Sequence, residues 1–64
     1  MADRIYTYNE KLLCVEREIK MRERVYKRRV TMGTMSKHQA EFEINLMKAI
    51  AEDIRPCAEE ERLI

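Results

Sequence analysis

The chain has little of what makes turns, sheets or stapled folds. Its 64 residues include one glycine, one proline, one phenylalanine, no tryptophan and only two cysteines. Scarce glycine and proline, with 45% hydrophobic and 39% charged residues, exclude a turn-rich β architecture and disorder and favour long amphipathic helices. Cys14 and Cys57 are too few for a disulfide framework and lie outside any zinc-ligand spacing, so both are expected as free thiols. The single histidine, His38, has no cysteine beside it and reads as a solvated residue at a helix start. No metal and no cofactor are expected. The sequence lacks an apolar run near the roughly 18 residues that span a bilayer, and Met1-Ala2-Asp3-Arg4 lacks the apolar core of a signal peptide. A soluble cytoplasmic protein without a membrane segment is the expectation.

What is present is helical punctuation around one bend, Thr31-Met32-Gly33-Thr34-Met35-Ser36. Upstream, Thr7-Tyr8-Asn9-Glu10 spells a capping box, which starts helix 1 at Tyr8 and leaves the residues before Thr7 as a lead-in. Tyr8, Leu12, Val15, Ile19, Tyr26 and Val30 then recur within a stripe about 60° wide at 100° per residue. Arg22 and Glu23 interrupt it. The aliphatic stem of Arg22 is expected to cover the gap with its head in water; the alternative is a carboxylate from the second helix. Gly33 follows the last periodic residue, where a left-handed C′ conformation suits glycine alone. Ser36, with Gln39 three residues on, reads as the box that opens helix 2.

Helix 2 carries Ala40, Ile44, Met47, Ala51 and Ile54 at coiled-coil spacing. Folding about the bend pairs Val30 with Ala40, Tyr26 with Ile44, Ile19 with Ala51 and Val15 with Ile54. Pro56 disfavours helical geometry at Arg55, so helix 2 is expected over about 37–55, with residues 56–64 as a tail that adds a short turn or frays. The fold class is therefore all-α: one antiparallel two-helix hairpin in a single domain.

Each helix has a second apolar stripe: Cys14, Met21, Val25 and Met32 on the opposite side of helix 1, and Phe42, Leu46 and Ala49 on the far side of helix 2. A hairpin needs one apolar face per helix. The surplus predicts either a covering partner or ordinary surface methionine and valine. Because an isolated hairpin of this size has little to bury, self-association into a dimeric four-helix bundle is the leading expectation, with an unidentified protein partner beside it.

Charge is unevenly placed. From Arg17 to Lys37 there are eight basic residues against Glu18 and Glu23, whereas Glu41 to Ile64 hold seven acids and three bases. Lys20, Arg24, Lys27 and Arg28 are the candidate phosphate contacts if this basic end meets nucleic acid. The structural alternative is that these cations complement the helix 1 macrodipole and pair with Glu41 and Glu43 across the hairpin. An enzyme is not expected: two helices enclose no water-excluding pocket, and neither Cys14 with His38 nor Glu59-Glu60-Glu61 makes a catalytic set.

Val25-Tyr26, Val30, Gly33, Met35, Ala40, Glu43-Ile44, Met47, Ala49-Ile50 and Asp53 together resemble a group of short uncharacterised proteins from bacteriophages and prophages. The resemblance covers about Leu12 to Arg55. Such relatives carry proline and an aromatic just after the tyrosine, where this chain has Lys27 and Arg29, so helix 1 is expected to be straighter. The resemblance implies a phage-type accessory protein in a bacterial cytoplasm and brings no catalytic residues with it.

Overall fold

The computed structural model describes residues 5–63. The expectations for residues 1–4 of the lead-in and for Ile64 lie outside these. Two helices, α1 (Tyr8–Met32) and α2 (Lys37–Arg62), pack against each other as an antiparallel hairpin, with no strand among the described residues. The hairpin is a flat slab of two helices, about 40 Å long and about 20 Å wide.

Local chemistry sets three of the four helix ends. At the start of α1 the Thr7 hydroxyl accepts from the Glu10 amide at 3.0 Å, and the Glu10 carboxylate accepts from the Thr7 amide at 3.0 Å. Both arms of the box are made. Two further amides of the first turn have no helical acceptor, and a distant residue meets them. Glu61 accepts from the Tyr8 amide at 2.8 Å and from the Asn9 amide at 3.1 Å. A carboxylate held there also opposes the positive end of the α1 dipole.

At the bend, Gly33 has φ +79°, its amide donates to Val30 O at 3.1 Å, and the Thr34 amide donates to Arg29 O at 3.0 Å. This pair of bonds is a Schellman stop, and the left-handed φ makes glycine the residue that fits. Ser36 then accepts from the Gln39 amide at 3.0 Å. Only this half of the expected box forms; no bond from the Gln39 side chain returns to Ser36.

The expected end of helix 2 is corrected. α2 continues through Pro56 to Arg62. Proline removes one amide donor, and its ring crowds the carbonyl four residues back, at a cost of about 3 kcal/mol in a helix interior. Two contacts beyond it hold the chain helical: Ala58 is fully buried against α1, and Glu61 binds the α1 amides. Pro56 itself is exposed, so water reaches the carbonyl that lost its partner.

The core is thin. Leu12, Ala40, Ala51 and Ala58 are the only hydrophobic residues buried among those described, and no large side chain is fully enclosed. Leu12, Ala51 and Ala58 cluster, with Val15, Ile19 and Ile54 half-buried against them. Toward the bend, Tyr26, Val30, Ala40 and Ile44 border one groove, and all but Ala40 are half-buried. Met47 is likewise half-buried. Three alanines among four core residues let the helices approach closely but bury little apolar area.

Candidate interaction faces

The slab has two broad faces, which differ in kind. On the first, Lys48 Nζ stands 3.6 Å from Glu23 Oε2, and Arg55 Nη2 stands 3.6 Å from Glu16 Oε2. Arg55 also pairs with Glu52 one turn away. This hydrogen bond, together with the Glu52 charge, raises the Arg55 pKa above its ordinary value. Lys20 joins these residues along an open groove floored by Ile19 and Ala51. These cross-helix pairs fix the phase of both helices, so the side on which every other residue lies follows at 100° per residue.

On the second face the cross-helix pairing is different. Arg22 Nε donates to Glu18 Oε1 at 2.8 Å, and Nη1 donates to the Glu43 carbonyl at 3.2 Å, with Glu43 Oε2 at 3.5 Å. The expectation that the Arg22 head stays in water is corrected: the guanidinium crosses the seam and ties α1 to α2. Its pKa is raised, first through the Glu18 hydrogen bond, with the Tyr26, Glu18 and Glu43 charges adding to it against some desolvation.

Around this clamp the second face is apolar. Helical spacing from the seam turns Cys14, Met21, Val25 and Met32 of α1 toward it, so this stripe is swung to one side rather than set squarely opposite the seam. From α2, Leu46 and Ile50 share it, and Cys57 lies near the open end. Met21, Leu46 and Ile50 are exposed and Val25 is half-buried. Near the open end the face runs into an almost purely apolar groove lined by Tyr6, Cys14, Val15 and Ile54, with Glu10 and Lys11 at its rim.

Phe42 and Ala49 fall elsewhere, on the outer edge of α2, where Phe42 is 58% exposed. The seven residues of the two second stripes therefore do not form one patch: Cys14, Met21, Val25, Met32 and Leu46 fall on one face, and Phe42 and Ala49 stand apart. Ile50 was missed. It reads as a surface residue until the phase of α2 is fixed, and its place one turn from Leu46 is the signal that finds it.

The candidate phosphate contacts Lys20, Arg24, Lys27 and Arg28 are all exposed along the outside of α1, together with Arg17. Their expected pairing with Glu41 and Glu43 is not made. Glu43 serves Arg22, and no ion pair to Glu41 occurs among the described residues. Cys14 and Cys57 are free thiols. Among the described residues no three metal-ligating side chains cluster, and no helix is long and apolar enough to cross a membrane. No protein-family model, curated protein or solved structure matches the chain.

Proposed function

We propose that this chain is a non-enzymatic interaction protein that pairs with a second copy of itself through the broad face carrying Met21, Val25, Leu46 and Ile50. One observation carries the reading: the hairpin fully encloses no large side chain, while several of its large apolar residues stand exposed. Two copies stacked face to face make a four-helix bundle and supply the core that one hairpin lacks. Two helices side by side, each about 10 Å across and α2 about 39 Å long, offer a face of about 800 Å², close to the roughly 800 Å² per partner in a standard interface. The opposite face is the poorer candidate, because pairing there would dehydrate two cross-helix ion pairs, Glu23 with Lys48 and Glu16 with Arg55, against the single Arg22 clamp on this one.

The resemblance to phage and prophage proteins extends the proposal to an accessory role in a bacterial cytoplasm, exercised on another protein once the dimer has formed. Sedimentation velocity and thermal melts at several concentrations test the self-association. The expected results are a dimer mass and a midpoint that rises with protein concentration. A monomer mass with a concentration-independent midpoint overturns it.

A further inference from the structure

Four carboxylates beside the seam are engaged within the hairpin. Glu18 and Glu43 hold Arg22, Glu23 holds Lys48, and Glu16 holds Arg55. That leaves Arg17, Lys20, Arg24, Lys27 and Arg28 exposed and without an ion pair or side-chain hydrogen bond. At 100° per residue the five lie within an arc of roughly 100° on the outside of α1, over roughly 16 Å of its length. No acidic residue between Arg17 and Arg28 falls on that arc. No ion pair is made by the row, although Lys20 shares a groove with Glu16, Glu23 and Glu52 and Lys27 one with Glu23 and Glu41. Like charges at this density on a rigid helix repel one another and are stabilised by an external polyanion.

We infer that the outer ridge of α1, formed by Arg17, Lys20, Arg24, Lys27 and Arg28, binds the phosphate backbone of duplex nucleic acid without reading its sequence. Shape supports a duplex: a helix about 10–12 Å across matches the B-DNA major groove, about 12 Å wide. Spread over its arc, the ridge presents Lys20 and Lys27 to one lip of the groove and Arg17 and Arg28 to the other, with Arg24 between. A single strand fits less well, because the ridge carries no aromatic ring for bases to stack on. An anionic membrane surface fits less well, because the arc from Arg17 to Arg28 itself holds no large apolar side chain, with Leu13 one turn before it and Met21 at its edge. The ridge borders the apolar face at Arg17 and Arg28, while Lys20, Arg24 and Lys27 stand clear of it, so the inference does not depend on the dimer.

The test is fluorescence anisotropy with labelled 20-base-pair duplexes of two unrelated sequences, from 20 to 200 mM salt. Both duplexes are expected to bind alike, with log K falling against log salt at a slope of about −4. The variant R24Q/K27Q, checked for helicity by circular dichroism, flattens the slope by about 2 and weakens binding at least tenfold at 50 mM salt. The charge-matched control K37Q/R62Q, which removes two cations off the ridge, leaves both quantities within twofold. Four outcomes overturn the inference: no binding at 20 mM salt, equal loss in the control, tighter binding to single-stranded oligothymidine, or tighter binding to vesicles of one-third anionic lipid.

Discussion

The two broad faces of this hairpin are made by the same two helices and meet at the same seam, yet one is chemically closed and the other is open. On the charged face, Glu16 and Glu23 of α1 find Arg55 and Lys48 of α2. Each charge is half-solvated and half-paired, and nothing more is needed for that surface to rest in water. On the apolar face the helices meet through one clamp, Arg22 between Glu18 and Glu43. Around it Met21, Leu46 and Ile50 have no protein neighbour of their own kind sufficient to cover them. A thin alanine-rich seam lets the helices approach but does not enclose large side chains, and the proposed pairing would supply that burial.

Several substitutions test this contrast. The largest effect is expected at the seam shared by both faces. Ala58→Glu places a charge where the exposure is 0% and costs at least about 3 kcal/mol, the scale of an unpaired buried ion. Circular dichroism should show loss of most helicity at 25 °C. Retention of the wild-type melting curve would mean that the turns after Pro56 do not hold against α1.

Next comes conversion of the apolar face into a charged one. Leu46→Glu with Ile50→Glu is expected to weaken self-association at least about 100-fold, the loss of two buried aliphatic contacts, as read by sedimentation equilibrium. Because both residues are exposed in the hairpin, the monomer keeps its helicity. The reverse exchange, Glu23→Leu with Lys48→Leu, gives the charged face an apolar patch as well. Light scattering should then report species larger than a dimer.

A smaller effect is expected where the open end is latched. Glu61→Gln keeps an acceptor but removes the carboxylate that binds the Tyr8 and Asn9 amides, and should cost about 1 kcal/mol in a denaturant titration. The smallest belongs to the charged face itself. Lys48→Gln removes one exposed pair with Glu23 and should change stability by about 0.5 kcal/mol or less. A loss above about 1 kcal/mol there would show that the charged face contributes more than solvation.

Much of the hairpin can be read without coordinates because its signals are local. Thr7 with Glu10, Gly33 with Thr34, and Ser36 with the Gln39 amide act over three to five residues, so the side chains that end each helix sit beside the turns they terminate. The seam is legible for a related reason: a period near 3.5 needs only one phase to be right. Apart from the half-made box of Ser36 and Gln39, the misreadings involve residues far apart in the chain. Pro56 was expected to end α2, and by local preference it should; Ala58 and Glu61 override it through contacts with Leu12, Tyr8 and Asn9. Arg22 looked like a gap in the stripe because its acceptor, Glu43, lies 21 residues away.

Signals local to the chain specify that two helices form, where the bend between them falls, and which stripe of each turns inward, because caps, glycine and hydrophobic spacing act within a few residues. Packing of one helix on the other sets how far α2 runs, which carboxylate serves which cation, and therefore which charges on α1 are left free. These outcomes depend on the register of one helix against the other. A shift of one residue in that register redistributes every cross-helix pair while leaving the local signals unchanged.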